Sequence, residues 1–348
     1  MRFVAAMGVA FTHQAFAFAV YIGGGLGIAA PVWPIGQIAV SLFFVISGYI
    51  MVISSRRLFG SLRGARIFLI RRLVRILPPY WIATLLLVAI LLVLRGQGTD
   101  GGDLVRSLLL WPYPNAFGAA RFLPVLWVGW TLFYEMVFYL VFALFVMFSR
   151  GRAVFLVAAA LFAIVLAGKA FQPASFILSF ASQPVLLIFA AGMALALIRE
   201  HGIVLPTWLR VLALLLCIAY LILVPVPQNP ESLGFHYLAW AGAPAVLLAV
   251  AVLGGQLTLP APAVVNRMGD ASYALYLLHV PAAHFWTWVW GTLGLPGGAW
   301  AFLVTLLTGT VIASWLFFLA VERPLTRWLN RRLGAAAHDD AVLQRTGV

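Results

Sequence analysis

The chain has 348 residues, 64% of them hydrophobic and only 9% charged, with a net charge of +13. A soluble domain carries about 25% charged residues, so this chain cannot cover itself with a water-compatible surface. That excludes a soluble enzyme, and continuous apolar runs argue against the short alternating segments of a membrane β-barrel.

Ten runs predict membrane-spanning helices: about 3–22, 35–53, 77–94, 125–148, 153–168, 183–198, 209–226, 237–254, 272–293 and 299–321. The first also has the outline of a signal peptide. It lacks a charged leader segment and a histidine interrupts it, so it is read as a span. The fold class is therefore all-α and polytopic, with about ten transmembrane helices. Residues 1–333 form one transmembrane domain, and the small, polar residues 334–348 a disordered cytoplasmic tail.

Charge fixes the expected orientation. With both termini inside, 18 of the 22 Lys and Arg residues fall on the cytoplasmic side and 4 (Arg95, Arg106, Arg121 and Lys169) outside. The basic excess is thus a topology signal rather than a sign of nucleic acid. The single cysteine, Cys217, lies in an apolar run, which excludes an internal disulfide.

Three ionisable residues interrupt these runs, and such residues mark functional sites by default because charge is costly in lipid. His13 is eleven residues beyond Arg2, about 16 Å along a helix and near the middle of a core roughly 30 Å thick. Glu135, in the fourth run, falls about 15 Å below the outer boundary. His279, in the ninth, falls about 10–12 Å from the inner one. Their similar depth suggests that they meet. A plain helix–helix hydrogen bond is the competing reading for each: it is preferred for His279, is evenly balanced for Glu135, and is the weaker reading for His13. His284 is expected at the outer interface.

A basic loop precedes the third span. Within it Arg72 and Arg75 are three apart, and guanidinium forks suit phosphate oxygens. The plainer alternative is that they only set topology, the reading preferred for Arg56, Arg57, Arg63 and Arg66. Trp127, Trp130, Trp286, Trp288 and Trp290 read as interfacial belt residues. Ser47-Gly48 reads as a close helix contact. The sequence has no Gly-rich phosphate loop, no cysteine cluster for a metal and no serine-nucleophile motif.

Six segments together resemble the membrane acyltransferase-3 family, specifically its exopolysaccharide O-acetyltransferase branch. They are Arg2-x(10)-His13, LFFVISGY at 42–49, Arg72-x-x-Arg75 with Pro78 and Tyr80, WTLxxExxFY at 130–139, SYALYLLHVP at 272–281, and Glu322-Arg323-Pro324. Each is loose alone; six in order are specific. One departure is Ala39-Val40-Ser41, where the family carries Gly-Val before the Phe-Phe pair. The resemblance implies a multi-pass enzyme of the bacterial inner membrane. It would move an acetyl group from cytoplasmic acetyl-CoA to a hydroxyl of a polysaccharide or lipid-linked sugar outside. His13 would be the base or nucleophile, with Glu135 or His279 orienting it, and Arg2, Arg72 and Arg75 would bind the CoA. No metal is implied. The residues alone also fit a proton-coupled transporter of a polysaccharide precursor, with His13 and Glu135 relaying protons, or a non-enzymatic membrane scaffold.

Overall fold

The computed structural model describes residues 1–23, 33–113, 123–224, 233–255 and 262–335. Nearly all of the expected tail lies outside these. Among the described residues every regular element is helical. In order they are α1 (Arg2–Tyr21), α2 (Trp33–Ser54), α3 (Leu62–Arg95), α4 (Gly101–Leu108), a 3₁₀ turn at Trp127–Gly129 and α5 (Trp130–Phe145). Next come α6 (Arg150–Phe171), α7 (Phe176–Ala181), a 3₁₀ turn at Pro184–Leu186, α8 (Leu187–Glu200), α9 (Thr207–Leu223) and α10 (Phe235–Tyr237). A π turn at Leu238–Gly242 leads into α11 (Ala243–Leu253). The chain closes with α12 (Pro262–Leu293), α13 (Ala299–Phe317), a second π turn at Phe318–Glu322 and α14 (Arg323–Arg332).

Eight helical stretches among the described residues are long and apolar enough to cross a membrane. The other two expected spans also lie on helices. One is α9, with 17 residues. The other is α12, whose 32 residues include Tyr273, Tyr276, His279, Pro281 and His284, which dilute its apolar character.

The basic segment at 71–75 is not a loop. It is helical, inside α3, which continues for 34 residues through Pro78 and Pro79. Proline removes a backbone donor and normally breaks a helix, which is why the sequence suggests a boundary there. Membrane bundles tolerate such breaks when neighbours satisfy the freed groups. The prolines leave the Val74 and Arg75 carbonyls without their helical donors, and beside them the Tyr273 hydroxyl of α12 donates to the Ile76 carbonyl at 2.9 Å. Ser61 caps the start of α3, accepting from the Gly64 amide at 2.9 Å. Gly96 ends it in the left-handed conformation, φ 65°.

Helix α1 packs on α12 and α2, and α2 packs on α8. The α2–α8 contact depends on missing side chains. A Cβ at Gly48 would lie 2.1 Å from the Phe189 carbonyl oxygen, and one at Gly192 would lie 1.9 Å from that of Val45. Ser47-Gly48 therefore does permit close approach, with Gly192 as its unforeseen counterpart. Arg56 is more than a topology marker. With Arg150 it pairs with Glu200, whose side chain is only 3% exposed, tying the ends of three helical segments.

Gly192→Leu is expected to lower stability by about 1–3 kcal/mol, the usual cost of overpacking. Gly151→Ala, which meets open space, is expected to be neutral or slightly stabilising. Thermal unfolding of the purified protein in detergent compares the two; equal midpoints would refute the glycine contact as a packing determinant.

Candidate active site

Among the described residues, two polar cavities are stacked along the same helices. The first is a cleft with about 590 Å³ of empty space, the solvent at its mouth included. Arg2, Arg72, Arg75 and Glu135 line it, with Tyr139 and Tyr273. The second, about 360 Å³, is lined by Thr12, His13, Gly36, Gln37, Trp127 and Trp130. Val40 and Tyr276 belong to both. Residue numbers step consistently between them. On α1 the lining passes from Arg2 to His13, on α2 from Phe43 to Gln37, and on α5 with its preceding turn from Glu135 to Trp127. The two cavities thus mark two levels of one bundle.

The first chamber is electropositive. Three guanidinium groups face it against one carboxylate, Glu135. The Nε atoms of Arg2 and Arg72 are buried without a hydrogen-bond partner. Arg72 does donate through Nη2 to Ser54 Oγ at 2.8 Å, and its guanidinium lies 5.6 Å from the centre of the Phe68 ring. Glu135 accepts from Ser47 Oγ at 2.6 Å. Like charges repel strongly in a cavity of low dielectric, and unsatisfied buried donors are costly. An anionic group with several oxygens relieves both. The chamber therefore fits a phosphorylated ligand by its own chemistry.

His13 lies on the wall of the second chamber, and His279 backs it from behind. His13 Nδ1 and His279 Nε2 are 2.8 Å apart, and the rings stack at 5.1 Å. His279 is fully buried. Its Nδ1 is buried without a hydrogen-bond partner. Trp127 meets His13 edge-on, with ring centres 4.2 Å apart. Gly36 sits under Thr12, where a Cβ would come within 3.1 Å of that side chain. The missing side chain brings α1 onto α2 at the level of His13.

The six residues singled out in the sequence divide between these chambers. His13 and His279 meet. Arg2, Arg72 and Arg75 share one cavity. Glu135 does not join the histidines, contrary to the depth expectation; it lines the arginine chamber, at the level of Arg2. A fourth span that begins at an outer boundary near residue 125 would bring Glu135 to the level of the histidines. In fact Trp127 already lies level with His13, so Glu135, two turns further on, falls much deeper. For the same reason Trp127 and Trp130 are not belt residues: Trp130 is only 4% exposed, packed by Phe44 and Tyr134. Trp290 is also buried, against Phe302, whereas Trp288 is exposed. His284 is only half-exposed, and its carbonyl accepts from Arg95 Nη2 at 3.2 Å.

Three contributors escape sequence reading. Ser47 holds Glu135. Tyr276 walls both chambers, and Thr131 binds the Tyr276 hydroxyl at 2.6 Å. A serine beside a glycine and aromatic residues on an apolar helix carry no signal that separates them from packing. Among the described residues no group of three His, Cys, Asp or Glu is placed to hold a metal ion.

The profile of a family described as "Acyltransferase domain" matches residues 1–319. The chain belongs to the acyltransferase-3 family. It is a multi-pass membrane acyltransferase. It is similar to the exopolysaccharide production protein ExoZ of Rhizobium meliloti (strain 1021), with 32% identity over 303 residues, covering 84% of this chain and 90% of that protein. It is also similar to the acyltransferase MdmB of Streptomyces mycarofaciens, with 28% identity over 343 residues, covering 88% of this chain and 85% of that one. No solved structure matches.

Proposed function

We propose that this acyltransferase-3 member is an O-acetyltransferase of the bacterial inner membrane. It takes acetyl from cytoplasmic acetyl-CoA and transfers it to a hydroxyl of an extracytoplasmic polysaccharide or lipid-linked sugar. The observation that carries this reading is the stacking of an arginine chamber directly beneath a histidine chamber. A phosphorylated carrier held at the first brings a thioester on its arm toward the second. The similarity to an exopolysaccharide production protein supports a carbohydrate acceptor. The 18-to-4 distribution of basic residues supports termini and arginine chamber on the cytoplasmic side.

Arg2, Arg72 and Arg75 hold the phosphates of acetyl-CoA. Glu135, anchored by Ser47, faces them from the opposite wall and limits their mutual repulsion. His13 is the general base. With its Nδ1–H donated to His279 Nε2, the lone pair of His13 lies on Nε2. That atom takes the proton of the acceptor hydroxyl as the oxygen bonds the acyl carbon, then returns it to the departing sulfur. His279 fixes the tautomer and supports the transient imidazolium, the part a carboxylate plays in a triad. Positioning by a neutral ring suits a site this dry, since a second charge would have to be buried too.

His13→Ala is expected to reduce acceptor-dependent acetyl transfer by about 10²–10⁴-fold, the range of general acid–base catalysis. His279→Ala should cost less, and His279→Gln should recover part of that loss by restoring an acceptor. Transfer in membranes supplied with labelled acetyl-CoA and polysaccharide measures this; undiminished transfer by His13→Ala would sink the enzymatic role. A labelled acetyl group trapped on His13 without acceptor would make it a nucleophile instead of a base.

Arg72→Ala and Arg75→Ala should each weaken acetyl-CoA binding by about tenfold, the usual worth of a hydrogen bond to a charged group. The deficit should shrink as salt rises, because screening already weakens these contacts. Equilibrium binding to purified protein tests it, and unchanged affinity would leave the arginines as topology signals only.

A further inference from the structure

Among the described residues the two chambers share two wall residues, Val40 of α2 and Tyr276 of α12. Both are buried, each 6% exposed. Phe43 braces the Tyr276 ring from the side, with centres 5.5 Å apart in an edge-on arrangement. The Tyr276 hydroxyl is latched: it donates to the Val128 carbonyl at 2.9 Å and lies 2.6 Å from Thr131 Oγ1. Thr131 reaches the same carbonyl at 3.0 Å. If Tyr276 swings aside, Thr131 keeps that carbonyl satisfied, so the latch opens without orphaning a buried acceptor.

We propose that Tyr276 and Val40 form a septum between the arginine and histidine chambers, and that this septum restricts the acyl group reaching His13 to the size of acetyl. The inference rests on the acyl-CoA reading above. Whatever passes from one level to the other must go between an aromatic face and a β-branched side chain. The gap widens by the swing of Tyr276 alone, and a packed interior, where even one added methylene is felt, limits that swing. Tyr276 is also one helical turn from His279, with ring centres 5.9 Å apart. A bulky group that keeps Tyr276 displaced therefore also disturbs the partner of His13. Tyr276 and Val40 act as specificity determinants. Neither is assigned a proton.

Two measurements test the septum. The first compares kcat/KM for acetyl-CoA and butyryl-CoA. The unaltered protein should favour acetyl by at least about tenfold, and Val40→Ala and Tyr276→Leu should narrow the gap to about threefold or less, the scale expected for methylenes in a fitted pocket. An unchanged ratio in both variants overturns the proposal. If Tyr276→Leu does not fold, the milder Val40→Ala decides alone. The second measurement needs no turnover. Cys217 is the only cysteine, so Cys217→Ser gives a blank background for a Gln37→Cys reporter in the histidine chamber. A membrane-impermeant methanethiosulfonate is added to the face carrying Arg72 and Arg75. Slow labelling that accelerates at least about tenfold when Val40 is also replaced by Ala supports a barrier between the chambers. Equal rates refute it. If the unaltered protein transfers nothing from acetyl-CoA, the acyl-CoA reading fails, whereas the labelling result still judges the barrier.

Discussion

A polar side chain inside a bilayer must find its partner within the protein, and the whole interior of this bundle follows from that constraint. His13 has His279. Glu135 has Ser47. Gln14, fully buried, donates to Thr310 Oγ1 at 2.9 Å. Each bond joins helices far apart in sequence, so the same contacts that satisfy the polar groups also hold α1 against α12 and α13, and α2 against α5. Glycine makes the rest possible. Where α2 meets α8, and where Gly36 meets Thr12, the backbones approach because no side chain separates them, and close packing is the main source of helix association in lipid.

Polarity in the interior is also sorted. Guanidinium groups collect at one level and imidazoles at the next, with an aromatic and aliphatic layer between. A single mixed cavity would place a protonatable histidine beside three guanidiniums, whose field disfavours a second positive charge. Separation by about 16 Å of helix weakens that field at the histidine pair. The basic level and the histidine level are thus set apart although they share four helices.

Composition alone reveals the class of fold, because no soluble surface can be made from 9% charged residues. Helix identity is equally legible: each expected run lies on helical structure. The positions of His13, Arg72 and Arg75 were readable too, since polar residues in apolar or boundary sequence stand out by cost. Depth was not. Counting residues from a boundary presumes that a span starts at the membrane surface, and the element carrying Glu135 starts inside. Nor was the continuity of α3 readable, because two prolines resemble a stop and only the surrounding helices make them tolerable. Tyr276, Thr131 and Ser47 were invisible for the opposite reason: hydroxyl-bearing residues cost little in any helix, so nothing local distinguishes a wall or an anchor from filler.

The 3₁₀ turn at Trp127–Gly129 has a consequence for biogenesis. Irregular backbone at this depth survives only when protein surrounds it. One of its carbonyls, that of Val128, is held by Tyr276, 148 residues later in the chain. Until α12 is made, the Val128 carbonyl lacks its Tyr276 partner and Trp127 has no His279 ring beside it. These two contacts of the fourth span can therefore form only after α12 has been synthesised. The C-terminal third of the protein thus completes a histidine pair whose first residue is among the first thirteen made.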